Sequence, residues 1–314
     1  MSLKCAFVFA GQGSQATGMG KDFFENSQVA REIFKQAEER TGIDFESLLF
    51  SENENLSLTE FTQPAILLVA SIAHKLFIDK TSIKPILTLG HSLGEFSALV
   101  AVGALDIIDA VELVNLRGKL MSDACANQEV GMLVSLGLSD EAVEKVCQDA
   151  RDNGKQVWAV NYNSDGQIVI AGIKKDLEEL VDILKSAGAK RAMLLNMSVA
   201  SHCPLLESAS APLEAKLREV LKDNFIAPII SNVTAKAYST KAEALDLLPK
   251  QLVMPVLYKQ SIKNIDNMVD CYIEFGHGKV LAGLNKSSSS KPTFNVFDMA
   301  SLNATIDAIK ELQA

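Results

Sequence analysis

The residues whose types and spacing could do chemistry begin with Gly90-His91-Ser92-Leu93-Gly94. The segment has the form G-x-S-x-G, with an apolar strand expected before it at Pro85–Leu89 and a helical run after it through Ala101. Small residues at both ends allow a sharp strand-to-helix turn, from which the Ser92 hydroxyl projects. The backbone N–H of Leu93 then opens a helix, where the dipole and unpaired N–H groups favour a developing oxyanion. Ser92 reads either as a nucleophile or as an incidental serine in a glycine-bounded turn, and the strand-turn-helix context favours the nucleophile.

A serine nucleophile needs a base, and the chain has four histidines. His74 falls within an amphipathic helical pattern and reads as structural. His91 adjoins the nucleophile, but neighbours on a tight turn point in different directions. His202 lies in Val199-Ala200-Ser201-His202-Cys203-Pro204, just before a helix whose first turn suits Pro204. That helix N-terminus is expected to keep the imidazole neutral, as a base requires. His277 lies between glycines in Phe275-Gly276-His277-Gly278 and is a rival on spacing alone.

Arg117 lies mid-stripe on the apolar face of a helix expected over Ile107–Ala124, with Leu113, Val114, Leu120 and Met121 around it. A buried guanidinium requires an anion or a full set of acceptors. Two readings stay open: an internal ion pair with an Asp or Glu, or a bidentate clamp for a substrate carboxylate. The loop Ala10-Gly11-Gln12-Gly13-Ser14-Gln15 is not a phosphate cradle. Its next glycine is Gly18, so G-x-G-x-x-G fails, and Met19 stands where a P-loop would carry lysine. It reads instead as a loop bringing backbone N–H groups and Gln12 to the site.

The elements that must position these groups alternate strands with helices. A strand at Lys4–Phe9, helices near Ser27–Arg40 and Pro64–Lys75, the Pro85–Leu89 strand and the Ile107–Ala124 helix argue for an α/β fold with a parallel sheet. The middle of the chain differs. Its pattern is strand Gly131–Gly137, helix Ser139–Asp152, strands Val157–Asn161 and Gln167–Gly172, helix Lys174–Ala187 and strand Lys190–Asn196. The order β-α-β-β-α-β is that of a ferredoxin-like unit. A helix at Pro204–Leu221, strands near Pro228–Asn232 and Cys271–Phe275, and a helix at Leu302–Leu312 follow. The expected division is a discontinuous catalytic domain, 1–126 and 198–314, with a ferredoxin-like subdomain at 127–197 and a cleft between them.

With 314 residues, 48% hydrophobic, the chain can bury a large core. A net charge of −9 without a long basic block argues against nucleic acid or an anionic membrane surface as partner. The five cysteines are scattered, with no C-x-x-C pair, so a disulfide framework or zinc site is not expected and a reducing compartment fits. The longest apolar run, near Pro64–Ala73, is short of membrane-spanning length. A cytoplasmic protein without metal or cofactor is expected.

Taken together, these segments resemble the bacterial malonyl-CoA:acyl carrier protein transacylases, of the acyltransferase family of fatty acid and polyketide synthesis. The resemblance runs from Phe7 to beyond Leu281. It rests on Phe9-Ala10-Gly11-Gln12-Gly13-Ser14-Gln15, Thr62-Gln63-Pro64-Ala65, Gly90-His91-Ser92-Leu93-Gly94-Glu95 and Arg117-Gly118. Asn161-Tyr162-Asn163-Ser164, Ser201-His202-Cys203 and Gln251-Leu252 with Pro255-Val256 also match. The resemblance implies a hydrolase-like α/β domain with a ferredoxin-like insert, and malonyl-CoA and an acidic acyl carrier protein as partners. It implies Ser92 as acyl carrier, His202 as base, a backbone carbonyl near Gln251 orienting the imidazole, and an oxyanion hole at Gln12 and Leu93. Arg117 would bind the malonyl carboxylate, with Gln63, Asn161 and Gln251 also at the substrate. Lys190, Arg191 and Lys286 are candidates for the carrier-protein surface.

The chain departs from the family where Gly276-His277-Gly278-Lys279 replaces a usual Gly-Pro-Gly-Lys, which demotes His277 to a substituted loop position. Ala10 also stands where proline is common. Two other functions share some of these features. A serine esterase or thioesterase would want a Ser…Asp/Glu…His triad, and acids are plentiful between Ser92 and His202. A non-catalytic carrier-binding module would not need Ser92, His202, Gln12 and Arg117 together.

Overall fold

The structure, a computed structural model, describes residues 3–197 and 199–313. Positions 1, 198 and 314, where the expected domain limits fall, lie outside the described residues. The strands are β1 (Cys5–Phe9), β2 (Pro85–Gly90), β3 (Val130–Leu136), β4 (Val157–Ser164), β5 (Gln167–Ile173), β6 (Arg191–Leu194), β7 (Ile229–Ile230), β8 (Ala237–Tyr238), β9 (Cys271–Phe275) and β10 (Thr293–Val296). They form a six-stranded sheet in the order β10-β9-β1-β2-β7-β8 and a four-stranded sheet in the order β4-β5-β3-β6.

The large sheet is parallel except for β8. Its central strand β1 is apolar throughout because both faces are covered. Along β1, Cys5, Phe7 and Phe9 enter one core with the helix Thr59–Lys80, while Ala6 and Val8 enter another with the helix Tyr258–Ile265. Thr59–Lys80 exceeds the expected Pro64–Lys75 by several residues. It is long and apolar enough to cross a membrane, yet it is buried in the core and packs along the helix Ile107–Cys125. Some helix starts carry side-chain caps: Ser27 accepts from Ala30 N, and Ser139 from Ala142 N.

The small sheet is antiparallel, and side chains alternate between its faces. Leu133, Ile168, Ile170 and Ala192 face the helices Asp140–Asp152 and Lys174–Ser186. Met132, Val134, Val169 and Met193, on the opposite face, line a cavity toward the large sheet. Val256, packed in the core beside Ala6 and Val8, bonds the small sheet: its carbonyl accepts from Tyr162 N at 3.0 Å, and its N–H donates to the Val160 carbonyl at 2.8 Å. Buried Lys259 adds an ion pair to Asp140 at the start of a small-sheet helix.

Several expected elements differ in extent. The strand near Pro228–Asn232 reduces to Ile229–Ile230, because Asn232 is drawn out of the ladder to bond the serine turn. The helix expected over Pro204–Leu221 is a short 3-10 turn, Pro204–Leu206, followed by the helix Glu207–Val220.

Candidate active site

Ser92 stands just beyond the C-terminal end of β2, ahead of the helix Gly94–Ala101. Its φ is +51°, a left-handed conformation costing roughly 1–2 kcal/mol for a residue with a side chain. The Ser92 N–H compensates by donating to Asn232 Oδ1 at 2.7 Å. The flanking glycines are required by space. A Cβ on Gly90 would fall 1.9 Å from the Gly94 carbonyl carbon, and one on Gly94 would fall 1.9 Å from the Phe9 carbonyl oxygen.

Ser92 Oγ lies 2.7 Å from His202 Nε2. On the other side of the ring, His202 Nδ1 lies 2.6 Å from the backbone carbonyl of Gln251. A carbonyl only accepts, so Nδ1 carries the proton and the lone pair on Nε2 faces the serine hydroxyl. No carboxylate takes the orienting position among the described residues, so the triad acid of the esterase reading is missing at this imidazole. Burial and the positive charge of Arg117 push the His202 pKa down to about 3, against the upward pull of the Gln251 carbonyl. The ring is therefore neutral at physiological pH, held so by burial and a nearby cation.

Arg117 is buried beneath these two residues. Nη1 donates to Gln63 Oε1 at 2.7 Å, and Nη2 to Gln251 Oε1 at 3.0 Å, with Ser92 Oγ 3.4 Å away. Its Cζ lies 5.2 Å from the ring centre of Phe96. Nε has no partner among the described residues. Of the two open readings, the contact ion pair is absent among the described residues: both amide oxygens are neutral. Burial lowers the Arg117 pKa to about 10, which Glu95 nearby opposes.

Glu95, on the helix that follows the nucleophile, is 1% exposed. Oε2 accepts from Gln251 Nε2 at 2.7 Å and from the Asn232 N–H at 3.1 Å. Burial pushes its pKa up to about 7 against those bonds and the attraction of Arg117. Gln251 Nε2 also donates to the Ser92 carbonyl at 3.1 Å, and Asn232 Nδ2 to the Gly90 carbonyl at 2.6 Å.

A cavity of about 550 Å³ opens onto Ser92, lined by Gln12, Leu93, Arg117, Asn161, Arg191 and His202 among others. The Gln12 side chain is committed to Thr59 Oγ1 at 3.1 Å, while the backbone N–H groups of Gln12 and Leu93 have no acceptor among the described residues. Gln63 and Gln251 do not line this cavity; both are buried behind Arg117 as its acceptors. They can support substrate binding only through the guanidinium, a correction to their expected place at the substrate.

The remaining histidines separate cleanly. His74 is packed edge-on among Phe7, Phe9 and Phe275, and burial lowers its pKa to about 4. His91 lines the cavity and bonds Asn163 at 2.7 Å, linking the serine turn to β4. His277 lies against Phe297, away from the cavity lining. The sequence reading missed Asn232 and the internal role of Glu95. A lone acid in the apolar run Gly94–Ala101 was the available signal for the latter.

An α/β fold with a serine turn, a neutral histidine and paired backbone N–H groups defines a serine acyltransferase or hydrolase site. A family profile described as acyl transferase domain matches residues 6–305. The malonyl CoA-acyl carrier protein transacylase of Bacillus subtilis (strain 168) is 41% identical over 316 residues, covering 98% of each chain. That of Escherichia coli (strain K12) is 38% identical, covering 90% of this chain and 91% of its own. The crystal structure of malonyl-CoA:acyl carrier protein transacylase from Helicobacter pylori superposes with a TM-score of 0.96 at 45% identity, over 99% of each chain. A malonyl-transacylase complexed with its type II PKS acyl-carrier protein gives 0.93 at 36% identity, over 97% of this chain and 99% of its own. The chain belongs to the acyltransferase family and, within it, to the malonyl CoA-acyl carrier protein transacylases.

Proposed function

We propose that this protein transfers a malonyl group from coenzyme A to the phosphopantetheine thiol of acyl carrier protein, through an ester on Ser92, supplying fatty acid synthesis. The observation that carries the reading is the convergence of the Ser92–His202 pair and a buried guanidinium at one cavity. The names of the relatives agree with it.

His202 Nε2 takes the hydroxyl proton as Ser92 Oγ attacks the thioester carbonyl. The negative charge that develops on the carbonyl oxygen is stabilised by the N–H groups of Gln12 and Leu93. Collapse breaks the C–S bond, and the departing thiolate of coenzyme A takes the proton from His202. In the second half, His202 removes the proton of the carrier thiol, whose sulfur attacks the ester; the C–O bond to Ser92 breaks, and Ser92 Oγ takes the proton back from His202. Arg117 pairs with the malonyl carboxylate, and Asn161 lies along the acyl and pantetheine path. The carrier, an acidic protein, would meet the surface around Lys190, Arg191 and Lys286. Arg191 lines the cavity together with Leu284, two residues before Lys286. The chain divides in this proposal into 1–126 with 198–314, and 127–197, and works in the cytoplasm. Intact-mass measurement after incubation with malonyl-CoA, with and without carrier, tests the scheme. Wild type should gain a malonyl group and pass it on; accumulation of the same adduct on Ser92→Ala would reject the nucleophile.

A further inference from the structure

One buried carboxyl near the nucleophile takes no part in this scheme. Glu95 spends Oε2 on two donors, and each donor belongs to a residue that holds a reacting group. A carboxyl inside an apolar helix is costly unless such bonds compensate it.

The first donor is the Gln251 amide. Its Nε2 is divided between Glu95 and the Ser92 carbonyl, which leaves Oε1 to face Arg117 Nη2 at 3.0 Å. The reversed amide would set an NH₂ group against the guanidinium and an oxygen against two oxygens. The second donor is the N–H of Asn232, whose side-chain oxygen receives the Ser92 N–H. One carboxyl oxygen thus reaches both the guanidinium and the strained serine turn through a single intermediary each.

We propose that Glu95 is a positioning residue for acyl selectivity: through the Gln251 amide it holds Arg117 where the acyl carboxylate must dock, and through Asn232 it steadies the Ser92 turn. The proposal rests on the reading of Arg117 as the malonyl clamp. It assigns to Glu95 an effect on which thioester is chosen, beyond any effect on folding.

The test measures kcat/KM for malonyl-CoA and acetyl-CoA in wild type, Glu95→Gln, Glu95→Asp, Glu95→Met, Arg117→Ala and the Glu95→Met/Arg117→Ala pair. The readout is the malonyl-to-acetyl ratio, because loss of active enzyme lowers both rates together. Glu95→Gln should keep the ratio within about threefold, since an amide oxygen accepts the same two bonds. Glu95→Asp withdraws the acceptor by one methylene and Glu95→Met removes it; each should lower the ratio about tenfold or more. With Arg117→Ala already present, Glu95→Met should change the ratio by less than about threefold, because the effect passes through the guanidinium. Equal losses for both thioesters, or the same loss of ratio without Arg117, would overturn the proposal. So would a Glu95→Gln variant as unselective as Glu95→Met. If Glu95→Met does not fold, the contrast between Asp and Gln decides. An unchanged ratio in Arg117→Ala sinks the clamp and the Glu95 proposal together. A collapsed ratio there, with unchanged ratios in the Glu95 variants, sinks the Glu95 proposal alone.

Discussion

Replacing Arg117 by alanine should change which thioester the protein prefers. The guanidinium is buried and bonded only to neutral oxygens among the described residues, two amides and Ser92 Oγ at 3.4 Å. A malonyl carboxylate would therefore be its first contacting anion. At about 4 Å and an effective dielectric near 20, such a pair attracts by about 4 kcal/mol. Truncating one member of a desolvated, charge-assisted pair costs about 2–5 kcal/mol. That corresponds to roughly one to four powers of ten in malonyl kcat/KM. Acetyl-CoA lacks the carboxylate and should lose far less. Arg117→Lys should recover only part of the malonyl rate, because an ammonium cannot span the fork. The assay is kcat/KM for both thioesters in wild type and both variants. Equal losses would make Arg117 a structural residue, and its nearness to the nucleophile would then be incidental. The same variant should raise the acid limb of the acetyl-CoA pH profile. Arg117 is one of the causes holding His202 low, so its removal lets the imidazole protonate at higher pH.

His202→Ala should slow acylation of Ser92 by roughly two to four powers of ten; His277→Ala should leave it within about threefold, and stopped-flow acylation that reverses this ranking would reject the base. Stability should fall as pH rises from the ordinary glutamate range toward 7, because folded Glu95, with its pKa raised to about 7, keeps a proton that the unfolded chain has released. The contribution is on the order of 3 kcal/mol, and chemical denaturation of Glu95→Gln should show a shallower decline over that window; an identical slope would refute it. Lys190→Glu and Lys286→Glu should raise KM for carrier protein while leaving malonyl loading from coenzyme A intact, and an unchanged carrier KM would remove them from the interface.

The serine turn, the alternation of strands with helices and the βαββαβ order were legible because each is written in local spacing. So was Arg117, whose place on an apolar stripe is a helical-wheel property. The helix Lys241–Lys250 was legible and went unread: Thr240 and Glu243 form a capping box at its start. The helices Lys21–Asn26 and Phe45–Phe50 are six residues each, too short to establish a period. The orienting network was beyond sequence. Gln251, Asn232 and Glu95 meet through contacts spanning 137 and 156 residues, and nothing in their neighbours announces the meeting. Burial and an arginine 85 positions upstream, which hold the imidazole neutral, were beyond sequence for the same reason.

Alternation across the small sheet has a consequence for how such a site can change over time. Met132, Val134, Val169 and Met193 meet the acyl cavity, whereas Leu133, Ile168, Ile170 and Ala192, next to them in the chain, hold the insert together. Mutation can therefore remodel the room offered to an acyl chain one strand position at a time without eroding the insert's own packing. Neither member of the Ser92–His202 pair lies on that sheet. Drift in substrate size and retention of chemistry are thus assigned to separate parts of one chain, and selection can act on the first while the second stands still.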